Sequence, residues 1–158
     1  MLKERIVAKI IDQTDRRILR ELQRDSSRTV TEIADAVGLS HAPCWRRIQR
    51  LRKAGYILRE GVVLDRSKLG WELEFFVYLK FSMQRSNVKE FRASIIQHER
   101  VIGAYIILGN FDLMLHVVAQ SMQDYQQFYL EHLSGRPELG EVNSMTVMAT
   151  LKEGRVPV

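Results

Sequence analysis

Residues 30–57 read VTEIADAVGLSHAPCWRRIQRLRKAGYI. Val30, Ile33, Ala34 and Val37 recur at i, i+3, i+4 and i+7, the spacing that gathers apolar side chains into one stripe of a helix. Gly38 follows where a short helix–helix turn needs left-handed backbone, which glycine adopts without a Cβ clash. Ser40 is the candidate N-cap of the next helix, or the cap falls a residue or two later because Pro43, in the first turn, lacks an N–H. At about 100° per residue that second helix places Cys44, Ile48 and Leu51 on one side. Ala42, Arg46, Gln49, Arg50 and Lys53 fall on the other, with Trp45 and Arg47 at the flanks. Between Ala36 and Arg59 there is no Asp or Glu, while Arg46, Arg47, Arg50, Arg52, Lys53 and Arg59 give the stretch a formal charge of +6. The pattern predicts a helix-turn-helix whose second helix enters the major groove of double-stranded DNA.

The rest of the charge supports that reading. Residues 1–66 hold 15 Lys and Arg against 9 Asp and Glu, and residues 67–158 hold 9 against 10. Only the first part carries the basic excess expected of a surface that meets a polyanion. With 46% apolar and 27% charged residues, the 158-residue chain has the composition of one medium globular domain or two small ones. No apolar run approaches the ~20 residues that span a bilayer, and MLKERIVAKIIDQ interleaves charges where an export signal would be apolar. A cytoplasmic protein without a membrane partner is expected. Cys44 is the only cysteine and sits on the apolar side of its helix, where a buried thiol is expected and not a nucleophile.

Upstream, Asp12 to Gln23 reads as a helix with Ile11, Ile18, Leu19 and Leu22 on one face and Asp12 and Asp15 at its N-terminal end. Downstream, Gly55 ends the helical pattern. Tyr56 to Leu64 then reads as two short strands around Glu60-Gly61, a wing from which Arg59 would touch a phosphate. Residues 1–10 form an extension of weak helical periodicity.

From Asp65 the pattern changes. The predicted organisation is a winged helix-turn-helix over 1–64, a linker over 65–72 and a second domain over 73–158. Leu73, Phe75, Val77, Leu79, Phe81 and Met83 alternate with Glu74, Phe76, Tyr78, Lys80 and Ser82, a period of two that predicts a strand. A helix over Ser86 to His98, strands over Val101 to Leu108 and Phe111 to Ala119, a helix over Ser121 to Leu133 and a strand over Glu141 to Leu151 complete the series. A tight turn at Gly109-Asn110 joins the middle strands, and Met122, Tyr125 and Tyr129 share one side of the second helix. The βαββαβ order predicts a ferredoxin-like α+β domain with two helices on one face of the sheet. The other face, carrying Phe76 and Tyr78, predicts a homodimer. A two-fold dimer would present two recognition helices about one DNA turn apart.

No catalytic constellation emerges. His41, His98, His116 and His132 lack metal-ligand spacing, and neither a Ser-His-Asp pattern nor a phosphate-cradling loop is present. His116 alone merits inspection as a base. A small dimeric ferredoxin-like enzyme is thus the remote alternative, and no enzyme and no cofactor is the expectation. A ligand-independent architectural DNA binder is the other alternative.

Asp12, Asp15, Ile18, Leu19, Leu22, Asp25, Arg28, Ile33, Ala34, Gly38, Leu39, Ser40, Pro43, Cys44, Arg47, Leu51, Gly55 and Ile57, with the hairpin Gly109-Asn110-Phe111-Asp112, carry a resemblance to the Lrp/AsnC family of transcriptional regulators over residues 11–157. The resemblance implies a sensing domain that dimerises and assembles further, often into octamers. It also implies that a small effector, typically an amino acid, binds between dimers at the Gly109–Asp112 hairpin. By position against the family pattern, Tyr105, Leu108, Met122, Thr146 and Val147 join Gly109, Asn110, Phe111 and Asp112 as effector candidates. Asn110 departs from the acidic residue common there, which leaves Asp112 to meet an ammonium group and bears on whether the usual ligand is taken. For DNA, Ser40, His41, Ala42, Trp45, Arg46 and Gln49 are the groove candidates, and Arg47, Arg50 and Arg59 the phosphate candidates.

Overall fold

Asp12 and Asp15 start the first helix together. The Asp12 carboxylate accepts the Asp15 N–H at 2.7 Å, and the Asp15 carboxylate accepts the Asp12 N–H at 3.2 Å, a reciprocal cap on α1 (Gln13–Arg24). The structure is a computed structural model that describes residues 11–82, 87–152 and 156–158. The extension at 1–10, and the expected strand end at Met83 and helix start at Ser86, lie outside those residues.

Thr29 and Glu32 form the same reciprocal cap on α2 (Val30–Val37). Gly38 closes it with φ 71, the left-handed turn expected. In α3 (His41–Lys53), Ser40 occupies the N-cap position with extended backbone but makes no side-chain capping bond. Ile18, Ile33, Ala34, Val37, Cys44, Ile48 and Leu51 bury together, and Ile11, Leu19, Leu22, Val30, Leu39 and Ile57 pack around them. The apolar stripes read from the sequence therefore meet in one small core, in which full burial of each large aliphatic side chain contributes roughly 1.5–3 kcal/mol.

The expected wing does not form as strands. Residues 57–64 have no regular secondary structure and no strand pairing, and Leu58, Val62 and Val63 are about nine-tenths exposed. These side chains pack on no apolar surface among the described residues of this unit, and a two-stranded ribbon alone is marginal in water.

The chain divides into two compact units. The first comprises described residues 11–63 joined by 156–158, where Arg20 Nε donates to the Val158 carbonyl at 2.8 Å. The second, 64–152, takes in the segment expected as a linker, which is ordered locally around a 3₁₀ turn at Ser67–Leu69.

In the second unit β1 (Leu73–Phe81), α4 (Val88–Ile95), β2 (Val101–Ile106), β3 (Leu113–Ala119), α5 (Met122–His132) and β4 (Leu139–Thr146) follow the expected βαββαβ order. The sheet order is β2-β3-β1-β4, with every neighbouring pair antiparallel. Strand alternation sends Phe75, Val77 and Leu79 of β1 and Leu113, Leu115 and Val117 of β3 into a core closed by Phe91, Ile95, Tyr125, Phe128 and Leu133. Glu74, Phe76 and Tyr78 point to the other face. Several details differ from the expectation, among them the end of α4 at Ile95 rather than His98. The Gly109-Asn110 turn is the tip of a longer loop between β2 and β3, β4 begins before Glu141 and ends at Thr146 rather than Leu151, and Phe128 rather than Met122 joins Tyr125 in the core. Tyr125 and Tyr129 of the expected α5 stripe do meet the core, while Met122 stays exposed.

Candidate nucleic-acid and effector sites

On α3, burial of Cys44, Ile48 and Leu51 leaves His41, Ala42, Trp45 and Arg46 exposed and Gln49 half-buried. Pro43, Arg46, Arg47 and Arg50 line a surface hollow of ≈ 330 Å³. Two of these arginines already have partners. Arg47 Nη1 donates to Asp12 Oδ2 at 2.6 Å and to Asp15 Oδ1 at 2.8 Å, and Arg50 Nη2 donates to Asp15 Oδ2 at 2.5 Å. The Asp15 side chain is only 2% exposed, whereas those of Arg47 and Arg50 are 29% and 44% exposed. A buried carboxylate thus pins the recognition helix to α1, while its arginines keep faces toward solvent. The Asp15 N–H and then Arg47 hold the Asp12 carboxyl below its ordinary range, and Asp12 and then Asp15 raise the Arg47 guanidinium further. Asp15 was legible in the sequence as a helix-start residue. Its second role was not, because its partners lie more than thirty positions away.

Arg59 is exposed on the 57–64 segment, so the wing that was to present it to a phosphate is absent from the described residues. Arg52 instead ties α3 to that segment through Glu60 at 2.5 Å.

The effector candidates fall into two groups. Leu108 to Asp112 lie on the loop between β2 and β3, with Tyr105 just before it at the sheet edge. Asp112 is anchored there. Its N–H donates to the Leu79 carbonyl at 2.9 Å, its carbonyl accepts from Ile107 at 3.1 Å, and its Oδ2 accepts the Phe81 N–H at 2.8 Å. The Phe111 ring leans on Tyr78 with centroids 5.7 Å apart. Gly109 has φ 148, a value side chains rarely adopt. Leu108 is fully exposed, Tyr105 half so, and Asn110 exposed. Met122, Thr146 and Val147 lie at the opposite end of the sheet, a β3 length or about 20 Å away. There Val147 N–H and Thr146 Oγ1 both donate to the Glu74 carbonyl, at 2.8 and 3.3 Å. One chain therefore does not bring the nine candidates into a single cleft. The antiparallel register that puts strand ends far apart is the reason.

His116, on the open sheet face, has Nε2 against Glu74 Oε1, and Glu74 Oε2 is paired with Arg66. Its ring lies 4.8 Å from that of Phe76. Its Nε2 is thus engaged by a carboxylate that is itself paired. Among the described residues, no three His, Cys, Asp or Glu side chains converge as a metal site.

The AsnC-type helix-turn-helix domain matches residues 11–52, and the Lrp/AsnC ligand binding domain matches residues 74–157. The chain belongs to the Lrp/AsnC family. It is 32% identical over 144 residues to the transcriptional regulator AzlB of Bacillus subtilis, covering 90% of this chain and 92% of the relative. It is 33% identical over 144 residues to the leucine-responsive regulatory protein of Rhizobium meliloti, with the same coverage. A crystal structure of an AsnC family transcriptional regulator from Agrobacterium tumefaciens superposes with a TM-score of 0.83 at 33% identity, over 93% of this chain and 97% of that one. A transcriptional regulator of Neisseria meningitidis, solved as a complex with L-Met, gives 0.86 at 25% identity over 91% and 94%. This Lrp/AsnC chain is accordingly a DNA-binding transcriptional regulator. No helix among its described residues is long and apolar enough to cross a membrane.

Proposed function

We propose that this Lrp/AsnC regulator binds specific DNA sequences as a dimer or higher assembly, and that a small effector, an amino acid, shifts its assembly or its DNA affinity. It works in the cytoplasm, without catalysis. The observation that carries the DNA reading is the recognition helix itself. It presents a continuous basic, Trp-bearing surface, and its opposite side and two of its arginines fix it to the rest of the domain. Ser40, His41, Ala42, Trp45, Arg46 and Gln49 are the groove contacts, with Arg46 and Gln49 chemically suited to guanine and adenine. Arg47 and Arg50 approach phosphates with the charge that Asp15 leaves them, and Arg59 serves the same end from the 57–64 segment.

Dimerisation is supported by the open sheet face, where Phe76, Tyr78 and Met114 stay half-buried and Met145 exposed, and by exposed Leu58, Val62, Val63 and Leu64. A second copy would supply what the 57–64 segment lacks. It would also supply the other side of an effector cleft at the Gly109–Asp112 loop, which one chain leaves open, and bring Met122, Thr146 and Val147 of one copy toward the loop of another. The L-Met complex of the Neisseria relative supports an amino acid as effector.

The test is binding to the upstream region of the protein's own gene against random DNA at physiological salt, with and without each of the twenty amino acids. A specificity ratio of about 10³ or more that one amino acid changes is the expected result. A ratio below about ten, unmoved by any amino acid, would instead establish an architectural DNA binder.

A further inference from the structure

A concavity in the ligand-binding unit is lined by no residue of the Gly109–Asp112 loop. It is a groove of ≈ 490 Å³, within the size range of small-molecule sites. One side is the α4 cap residue Asn87 with Glu90, Phe91, Ser94 and Ile95 of the helix. The other is the end of α5 and the turn after it: His132, Arg136 and Glu138. Its chemistry is mixed in an ordered way. Phe91 and Ile95 are buried and form an apolar floor. Glu90 and Glu138 bring negative charge. Arg136 brings positive charge, its guanidinium held over the end of α5 by the His132 and Glu131 carbonyls, each at 3.3 Å. His132 stands beside it, its ring 4.5 Å from that of His98.

Glu138 Oε2 is buried and meets no hydrogen-bond donor among the described residues. A carboxylate oxygen in that position is costly unless a donor reaches it. At the mouth, Asn87 enters α4 in left-handed backbone (φ 63) and makes no capping bond, an uncommon conformation of the kind that collects at ligand sites. A metal ion does not fit, because Glu90, His132 and Glu138 do not converge as ligands. A plain anion or cation would satisfy one sign of charge and oppose the other.

We propose that this groove is a binding site for a free α-amino acid with an aliphatic side chain, distinct from the hairpin site. The ammonium group donates to Glu138 and Glu90, the carboxylate faces Arg136 and His132, and the side chain lies on Phe91 and Ile95. The groove is wired to the hairpin. The Glu138 carbonyl accepts the Ser82 N–H at 2.8 Å, and the adjacent Phe81 N–H donates to Asp112 Oδ2 at 2.8 Å. An occupant that draws on Glu138 therefore acts two residues from the anchor of the loop.

The experiment is a titration of the full-length protein, carrying isoleucine labelled at its δ-methyl, with L-leucine, leucine amide and isocaproate. Ile95 reports the groove and Ile106 the hairpin. L-Leucine is expected to move the Ile95 signal. The amide and the des-amino acid should bind there at least about tenfold more weakly, as should L-leucine to Glu138→Gln and Arg136→Gln, with the Ile106 response retained in both variants. A response at Ile106 alone overturns the groove while leaving the amino-acid regulator intact. A response at Ile95 that neither analogue nor variant weakens overturns it too. Groove binding with no effect of any amino acid on DNA affinity would sustain the site and remove the regulatory reading.

Discussion

Asp15, buried at the first turn of α1, accepts a hydrogen bond from Arg47 of the recognition helix at 2.8 Å. The same carboxylate takes Arg50 through its other oxygen, so one side chain orients two of the helix's arginines.

Replacing it should separate stability from charge. Asp15→Asn is expected to cost about 1–3 kcal/mol, because a buried group loses charge-assisted partners while the arginines stay partly hydrated. Urea unfolding measures the loss. In the folded fraction Arg50 is released and Arg47 keeps Asp12 alone, so binding to random DNA should strengthen and its salt dependence steepen. A variant of unchanged stability would show that the pair does not hold the helix.

Asp12 carries a pH dependence of known sign. Its pKa is lowered in the folded state by the Asp15 N–H and then by Arg47. The stabilisation is therefore present above the ordinary carboxylate value of about 3.9 and disappears as pH falls through the lowered folded value. Asp12→Asn should flatten the acid limb of the unfolding curve of the helix-turn-helix domain, followed by circular dichroism, and leave the neutral region with the cap partly retained. An acid limb identical to that of the parent would assign the effect to other carboxylates.

Arg46 is the recognition-helix arginine of the hollow for which no acidic partner is seen among the described residues. Arg46→Ala should weaken the cognate site by about 1–3 kcal/mol and random DNA much less. Equal loss on both, with a salt slope reduced by about one, would make it a phosphate contact.

Asp112 has two roles that substitution can divide. Asp112→Asn keeps an oxygen to accept the Phe81 N–H, so the melting temperature should hold while effector affinity at the hairpin falls about tenfold through loss of charge. Asp112→Ala should lower both, with a stability cost of roughly 1 kcal/mol. Calorimetric titration beside thermal unfolding distinguishes the two. An Asn variant that binds effector normally would leave Asp112 a purely structural anchor.

How far the sequence carried depends on the range of each interaction. The stripe Val30, Ile33, Ala34 and Val37, the Gly38 turn and the burial of Cys44, Ile48 and Leu51 were legible because helical period and turn chemistry are set by near neighbours. The same holds for Phe75, Val77 and Leu79 in β1. The wing failed for a reason local pattern does not contain. Leu58, Val62 and Val63 have strand propensity, yet all three stand exposed among the described residues. On α5, Met122 fitted the stripe by spacing but stands at the first turn, beyond the edge of the core.

The sequence by itself therefore determined the two-domain class, the basic recognition helix and the βαββαβ order, all of which follow from periodicity, caps and charge within a few residues. Only the tertiary structure decided that Asp15 binds Arg47 and Arg50, that Met122 and Thr146 lie a strand length from the Asp112 loop, and that Glu90, Arg136 and Glu138 share a groove. Such meetings depend on how helices cross and strands register, and each joins residues that no local spacing relates.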